Sequence, residues 1–478
     1  MLIKKKPTVL AALGLAGAAL AIACATPKAN AAPTPLPVQP SCTVDSAEFA
    51  SWFQRGRVTK DGIVTAADSL QSFDTLCDFY AWSWRMFLWQ TSENSGGYVF
   101  NTAPFFDLND KNELVSNSSG YSGRKFVRGG KLEDMSRTGQ AGLISGVLMT
   151  QGASVNADGS LVYYAIHVND VMAYMASGVN NGGLTGVTQF PTTVAQRDAI
   201  IDYAQTAYGV HLTDPNALAL ELKSSWVKLN SSMDASQFIT IKADIPSYTQ
   251  SSDQRWTWNG TSLDKGVTLA CVGYHLVGSA AGHPEMIWAT FEHYQNAPDA
   301  NFYYRDKSGN TQMKKNWNSN GTPVDKNWLF MDGVSREQAN NQMHMELKGN
   351  DILATPGKTI SPSNTMRTHP WGGAPDQTAA GNNTAIISIN QNISSMLASG
   401  DVRKNYFLVG ATWTKNGVPN IGFQIPDVAG SITLANASME TYFQYKNCFD
   451  CHHATQGQPM TQLTGLSHIF GIIQPLAK

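Results

Sequence analysis

Two cysteines and a histidine close to the end of the chain have the spacing of a cofactor-attachment site. They stand in the run CFDCH at 448–452. Two thiols three residues apart can each add across one vinyl group of a haem, and a histidine directly after the second thiol then lies beneath the iron as its proximal ligand. The run predicts one covalent c-type haem, attached at Cys448 and Cys451 and ligated by His452.

Two other kinds of site use the same residue types. A thioredoxin-like dithiol places its first cysteine at the N-terminus of a helix that follows a strand, whereas a helical pattern runs into Cys448 from upstream. A structural zinc site needs four ligands around one ion, and the two cysteines and two histidines at 448–453 are too crowded in the chain to form a tetrahedron. We prefer haem, and both alternatives stay open at this point.

The second axial position of the iron has candidates among the 26 residues that follow His452. Met460 is eight residues away, a fully extended reach of about 27 Å, which only just passes round the edge of a porphyrin. His468 has enough chain but lies among apolar residues, as is typical of a histidine in a protein core. Because a tail this short cannot wrap a haem alone, we expect the upstream region to supply most of the pocket.

The upstream stretch with the most chemistry is 271–294, which holds three histidines and two glutamates. These residue types could provide an axial ligand, an acid–base pair near the iron or a separate metal site. The catalytic candidates are His275, Glu292 and His293. The alternative is that both of these histidines are buried and bonded to the backbone. The run QMHM at 342–345 is a second pool of iron ligands.

The first 31 residues predict export. Three lysines at 4–6 precede an apolar run at 9–23, and the run ANA at 29–31 is the small-x-small pattern that signal peptidase cleaves. We therefore expect a periplasmic or secreted protein, and c-type haem is also attached outside the cytoplasm. Cys24 follows a small residue at the end of the apolar run, so a lipid anchor at Cys24 is an alternative.

Charge and hydropathy exclude several classes of partner. Removal of residues 1–31 leaves 30 basic and 36 acidic side chains. A chain with this acidic balance lacks the basic face that nucleic acid or an anionic membrane requires, and a basic redox partner protein fits it better. No stretch after the first 31 residues approaches the roughly 18 apolar residues of a transmembrane helix.

The remaining chain divides into three parts. Residues 32–41 contain four prolines and predict an extended linker. Residues 42–435 predict the main domain, and residues 436–478 predict a haem-attachment segment packed on it. In the main domain, runs of strand without regular helical crossovers predict an α+β fold, with a large mixed or antiparallel sheet, flanking helices and a short helical haem-attachment segment at the end.

Hydrophobic periodicity and turn residues place individual elements. We predict helices over 68–90 and 193–208, the second closed by Gly209, and a short helix capped by Asn169 or Asp170. A fourth helix, starting at Asn436, should lead into Cys448. Residues 356–385 predict a loop. The strand candidates are 142–149, 161–168, 217–229, 238–243, 266–278 and 406–413.

Three cysteines remain outside the signal segment and the CFDCH run. In an oxidising compartment Cys42 and Cys77 could form a disulfide, which would join the N-terminal arm to the first long helix. Cys271 lies in an apolar run and is typical of a buried thiol.

Several short blocks resemble a family of exported bacterial monohaem proteins, usually called only cytochrome c family proteins. The blocks are YYAIHVN at 163–169, LKSSW at 222–226, VGYHLV at 272–277, ATFEH at 289–293 and ANASMET at 435–441, followed by the CFDCH run. The resemblance implies a haem and an exported location but no substrate. It also implies that His275, Glu292 and His293 lie in shared motifs, and the family's aromatic residue at the position of His468 counts against His468 as a ligand.

These observations favour electron transfer through a covalently bound haem. The alternative is a haem-dependent oxidoreductase of peroxidase type, or a haem protein that binds a small ligand at an open distal site. A third hypothesis is a docking role, in which the haem only links this chain to another redox protein. The length of the chain counts against a simple shuttle, which needs about a hundred residues around its haem.

Overall fold

The computed structural model describes residues 34–94, 96–109, 111–116, 146–152, 159–230, 233–325, 327–340, 345–418, 427–454 and 460–477. The predicted signal segment with Cys24, the predicted strand residues 142–145 and most of the run at 342–345 lie outside these residues. In the described part, no helix is long and apolar enough to cross a membrane.

The described chain is a mixed α+β structure with few helices and mostly antiparallel sheets, as predicted. The helices are α1 (Ser46–Trp52), α2 (Leu76–Gln90), α3 (Asp170–Asn180), α4 (Val194–Tyr208), α5 (Ala380–Met396) and α6 (Met460–Leu466). The strands are β1 (Glu93–Asn94), β2 (Gly97–Tyr98), β3 (Phe105–Leu108), β4 (Leu114–Ser116), β5 (Val162–Asn169), β6 (Leu220–Lys228), β7 (Thr240–Pro246), β8 (Thr249–Ser252), β9 (Arg255–Thr257), β10 (Leu263–Ala280), β11 (His283–His293), β12 (Phe302–Arg305), β13 (Thr311–Lys314), β14 (Met345–Lys348), β15 (Asp351–Ala354), β16 (Tyr406–Thr414) and β17 (Val428–Gly430).

A nine-stranded antiparallel sheet organises the fold. Its strand order is β17-β16-β11-β10-β6-β5-β3-β4, and β7 pairs with the first part of β10. Because successive side chains of a strand point to opposite faces, the sheet offers one row of residues to each side. Tyr274 and Leu276 of β10 face one core, whereas His275 and Val277 face the other side.

Helices α2 and α5 cover the first face of this sheet. The ring of Phe87 stacks on Phe291 of β11 with the ring centres 4.3 Å apart, and Trp84 meets the same ring edge-on at 5.1 Å. All three side chains are fully buried. Burial of an aromatic side chain of this size stabilises a fold by roughly 1.5 to 3 kcal/mol.

The second face carries α3, α4 and the end of the chain. Val277 and Trp288 of the sheet share a core with Phe449, Leu466 and Phe470 of the last 30 residues. The C-terminal segment is therefore packed directly on the central sheet.

Several predicted elements are confirmed. Asn169 caps α3 by accepting a hydrogen bond from the Met172 backbone, and Thr193 caps α4 in the same way through Gln196. Helix α4 ends at Gly209, which has the left-handed backbone (φ 69°) expected of a glycine at that position. The predicted strands at 161–168, 217–229, 238–243, 266–278 and 406–413 correspond to β5, β6, β7, β10 and β16.

Three predicted elements differ from the structure. Helix α2 begins at Leu76 rather than at residue 68, because the side chains of Thr75 and Asp78 form a capping box there. Helix α5 begins within the predicted loop 356–385. It was not predicted because its many Asn, Ser and Ile residues give no clear helical pattern. The predicted helix from Asn436 to the CFDCH run is wrong: residues 436–447 form turns, held by side-chain hydrogen bonds to the sheet.

The predicted disulfide between Cys42 and Cys77 is present. It joins the N-terminal arm to the first turn of α2, and its two residues are 35 apart in sequence. Cys271 is a buried free thiol, as expected.

We expect the disulfide to stabilise the fold by about 2 to 4 kcal/mol, because it closes a loop in the unfolded chain and so lowers the conformational entropy of that chain. The double variant C42S/C77S leaves no free thiol at either position. It should unfold at a lower urea concentration than the wild type, and its free energy of unfolding should be lower by this amount. Reduction of the wild type by dithiothreitol should reproduce the loss. Equal unfolding midpoints for the variant and the oxidised wild type would contradict this prediction.

Candidate functional site

The CFDCH run forms one tight turn. Cys448–Asp450 is a 3₁₀ helix, and the side chain of Asn447 caps it by accepting a hydrogen bond from the Phe449 backbone at 3.0 Å. The Asp450 carboxylate in turn accepts a hydrogen bond from the Asn447 backbone N–H at 2.8 Å. Cys451 and His452 follow directly after this helix, so the two cysteines and the histidine lie close together in one turn.

Both cysteines of the turn are free thiols that keep part of their surface accessible. Burial raises the pKa of both thiols. A catalytic dithiol needs the opposite shift, because the thiolate is the reactive species. The surroundings of Cys448 and Cys451 thus disfavour a thioredoxin-like dithiol.

The imidazole of His452 is held by a hydrogen bond from one of its two nitrogens. Its Nδ1 donates a hydrogen bond to the carbonyl oxygen of Leu466 at 2.7 Å, so the lone pair is on Nε2. No described residue forms a hydrogen bond with that Nε2. Burial, and next the neighbouring His468, lowers the pKa of His452 well below its usual value. The ring is therefore neutral at pH 7, as a ligand must be.

His468 lies against the face of His452. The two rings are stacked with their centres 4.2 Å apart and 18° between their planes, and His468 Nε2 donates to the Cys451 carbonyl oxygen at 3.2 Å. Two axial imidazoles would meet edge to edge across an iron, not face to face. In this conformation His468 therefore supports His452 from the side. Met460, the other candidate in the tail, begins α6, and its side chain lies outside the described part.

A partly accessible patch of the central sheet, called the recess below, lies beside this turn. Three neighbouring strands contribute Ile166, Lys223 and His275, which are paired across β5, β6 and β10. Each keeps part of its surface accessible, although most residues of these strands in this region are buried. These three adjacent, partly accessible side chains on one face of a covered sheet make up the floor of the recess in this sense.

His275 pairs with Glu440, which stands eight positions before the CFDCH run. Its Nε2 lies 2.9 Å from Oε1 of Glu440, and the side chains are 19% and 28% exposed. The alternative of a backbone-bonded histidine is thus wrong for His275. Burial alone would raise the pKa of Glu440, but His275 and Lys223 lower it overall.

Two further charged residues face the same recess from β6. Burial raises the pKa of Glu221 to about 7, and Ser467 donates a hydrogen bond to its carboxylate at 2.6 Å. Burial likewise lowers the pKa of Lys223. Both side chains keep accessible surface yet are surrounded by enough protein to shift their pKa, which is the behaviour expected of groups that line a recess.

Glu292 has a supporting position. It is fully buried, and its carboxylate accepts hydrogen bonds from the Ala437 backbone at 2.8 Å, Arg367 at 2.9 Å and Asn296 at 3.1 Å. All three of these hydrogen-bond donors serve to hold parts of the fold together. Glu292 therefore fixes the loop that carries Glu440 and does not itself face the recess as an acid or base.

His293 does not belong to the site. It points to the opposite side of β11 from Glu292, its ring stacks on Phe238 at 4.0 Å, and its Nε2 donates to the Gln237 carbonyl oxygen at 2.9 Å. The alternative of a buried, backbone-bonded histidine is thus correct for His293. Of the three catalytic candidates, the structure places only His275 beside the CFDCH turn.

Sequence reasoning missed Glu221, Lys223, Glu440 and Trp288, whose ring centre lies 4.4 Å from that of His452. The charges at 221 and 223 leave a signal, because charged residues on alternate positions of an otherwise apolar strand share one face. Glu440 and Trp288 leave none, because only the strand register and the path of the loop bring them to the site.

No family model, curated protein or solved structure matches the chain. In the described residues, no group of three or more His, Cys, Asp or Glu side chains is arranged to hold a metal ion. The resemblance to cytochrome c family proteins stays a prediction.

His293 should make the fold sensitive to acid. Burial lowers its pKa to about 3, whereas the unfolded chain takes up this proton near pH 6.5. Stability is therefore fully present above pH 6.5 and is lost as the pH falls towards 3, by about 2 kcal/mol between pH 6.5 and pH 5. Urea unfolding at these two pH values should show this loss, and H293F should reduce it.

The exposed His211 provides the matched control. The variant H211F should keep the wild-type pH dependence. If H293F and the wild type lose the same free energy of unfolding on acidification, His293 is not the group responsible.

Proposed function

We propose that this chain is an exported c-type haem protein that passes electrons through one covalently bound haem. The observation that carries the proposal is the state of His452: a neutral imidazole whose Nδ1 is fixed by the Leu466 carbonyl and whose Nε2 is left for a metal. Fixing the far nitrogen of a ligating histidine is what proteins do when they hold it ready for an iron.

The donor set fits haem c. Cys448 and Cys451 are unpaired, partly accessible thiols on one turn, and each can form a thioether bond. His452 follows them directly and has the ring orientation of a proximal ligand. The floor of Ile166, Lys223 and His275 offers mixed apolar and polar surface on one side of this turn. These features support one haem per chain.

Each part of the protein has a definable task in this proposal. A bound haem supplies an iron that cycles between the ferrous and ferric states. Cys448 and Cys451 keep the porphyrin from dissociating, and His452 sets one axial position. Trp288 and His468 lie on the ring of His452 and restrict its rotation. Packing of the tail on the sheet lines this side of the site with apolar side chains.

The acidic balance of the chain supports a basic redox protein as partner, because opposite charges speed the encounter of two proteins. The pattern of residues 1–31 supports a periplasmic or secreted location. Electron transfer then takes place outside the cytoplasm.

Haem attachment is the direct test. We expect purified protein, produced with a c-type haem maturation system, to contain one haem c per chain by the pyridine haemochrome assay, with the added mass retained after denaturation. The double variant C448A/C451A should lose all covalent haem, and C271A, which alters a cysteine outside the turn, should keep it. A chain that folds without haem and carries zinc instead would refute the proposal.

A second candidate function is the binding or reduction of a small ligand at the same haem. It is favoured by the His275–Glu440 pair, because a histidine joined to a carboxylate can supply or accept a proton beside a bound ligand. The two functions differ in whether the iron has an open coordination position.

Carbon monoxide separates these functions. If electron transfer is the function, the reduced protein should be low-spin and its absorption spectrum should not change under carbon monoxide. An altered Soret band would instead establish an open position and favour the second candidate. In that case H275F should change the affinity for carbon monoxide, whereas H211F should not.

A further inference from the structure

A cavity of about 500 Å³ lies between the β12–β13 hairpin and two loops, residues 336–340 and 366–375. Its described lining includes no residue of the C-terminal segment or of the recess. Protein cavities that hold small organic molecules have volumes of about 300 to 1,000 Å³. This cavity is therefore large enough for a ligand, and the proposed function leaves it unused.

The hairpin forms one wall of the cavity because its side chains alternate. Phe302 and Tyr304 are 4% and 9% exposed and belong to the main core, so Tyr303 between them points to the opposite face. Met313 is the register partner of Tyr303 on β13 and therefore shares that face. Although it is a large apolar residue, Met313 is 43% exposed. This wall offers an aromatic ring and a thioether to a molecule in the cavity.

A second wall is held in place by the side chain of Asn340. Its amide accepts a hydrogen bond from the Met366 backbone N–H at 2.9 Å, and it donates to the Met366 carbonyl oxygen at 2.7 Å and to the Thr368 hydroxyl at 3.1 Å. The Ala300 N–H donates to the Arg367 carbonyl oxygen at 2.8 Å, which ties this wall to the base of the hairpin. Because both walls are fixed by the fold, a ligand would bind without a large ordering cost.

Three hydrogen-bond donors of the lining are partly accessible and are not used by the described part of the fold. The hydroxyl of Tyr303 forms no hydrogen bond there. Asn301 accepts from the Asn316 backbone N–H at 2.8 Å through its Oδ1, which leaves its NH2 group available. The guanidinium of Arg336 is 49% exposed, and its ion-pair contact, Glu337 Oε1, is 3.9 Å away. A ligand with two acceptor oxygens complements these donors, since arginine binds a carboxylate through two parallel hydrogen bonds.

The charges of the cavity favour a ligand with one negative charge. Among the described lining residues, Arg336 is the one cation and Glu337 the one carboxylate. Glu337 is 68% exposed, and its own backbone N–H and the Ser335 hydroxyl lower the pKa of its carboxyl. It is therefore ionised and repels a dianion such as phosphate, whereas a single carboxylate is neutralised by Arg336.

We propose that this cavity binds a small organic monocarboxylate with an apolar body. Arg336, Tyr303 and Asn301 bind the carboxylate, and the apolar part lies against Met313 and Met366. Methionine adapts its flexible side chain to molecules of different shape, so an aromatic or an aliphatic acid fits this surface. The site does not depend on the proposed haem.

The test is calorimetric titration of the purified full chain with sodium 4-phenylbutyrate and with sodium octanoate. Each acid is compared with the primary amide and the amine of the same carbon chain. The variants R336M and Y303F change the cavity. R57M and Y445F are the matched controls, because Arg57 and Tyr445 are exposed residues outside its described lining. Thermal unfolding of every variant checks that it is folded.

We expect one of the acids to bind with saturation at one site per chain. The corresponding amide and amine should bind about ten-fold more weakly or worse, because the hydrogen bonds to a charged group are lost. R336M should weaken binding of the acid about ten-fold or more, and Y303F should weaken it by a smaller factor. R57M and Y445F should bind like the wild type. The acid that binds more tightly shows whether the apolar body is aromatic or aliphatic.

Four results overturn the proposal. Neither acid may show saturable binding at millimolar concentration, or the acid and its amide may bind equally well. Binding of the acid that R336M leaves unchanged would place the ligand elsewhere on the protein. Tighter binding of the amine than of the acid would assign the cavity to a cation held by Glu337.

Discussion

The buried carboxylate of Glu292 is the interaction on which the placement of the C-terminal segment depends. It joins β11 to the loop at Ala437 and to Arg367 through two hydrogen bonds of 2.8 and 2.9 Å. Gly273, its partner in the sheet register, leaves room for the loop, because a Cβ atom there would lie 2.3 Å from Ser438 Oγ. A buried charge is tolerated only where donors surround it, so a loop in any other position would remove the Ala437 donor and leave this carboxylate with Arg367 and Asn296 alone.

The docked loop and the last helix build the site from two sides. The loop brings Glu440 to His275, and the tail returns through α6 so that the Leu466 carbonyl meets His452. Helix α6 approaches closely only because residue 465 is a glycine: a Cβ atom there would lie 2.2 Å from the His453 carbonyl oxygen. The orientation of the proposed iron ligand is thus set by a residue 14 positions later in the chain.

How much of the structure the sequence predicts depends on how far apart in the chain the interacting residues lie. The CFDCH run, the caps of α3 and α4 and the strand patterns are local, and each could be predicted from neighbouring residues. The Cys42–Cys77 disulfide could be predicted because few other cysteines remain that could pair. The partner of His275 could not be predicted. Glu440 is 165 residues later in the chain, and only the strand register and the path of the loop bring it to His275. Helix α5 was not predicted, because burial rather than intrinsic helix propensity makes its Ile- and Asn-rich sequence helical.

The pairing of buried charges locates the site independently of the cysteines. Arg403 lies 2.6 Å from Asp401, and Arg367 lies 2.9 Å from Glu292, so these buried cations are neutralised within the fold. Lys223 of β6 is only partly buried: burial lowers its pKa, and the Glu440 and Glu221 carboxylates raise it against that effect. An apolar residue on β6 would serve packing at least as well, and ionisable groups whose pKa is shifted by burial cluster where chemistry uses them. A strand more than two hundred residues upstream therefore points to the same recess as the CFDCH turn.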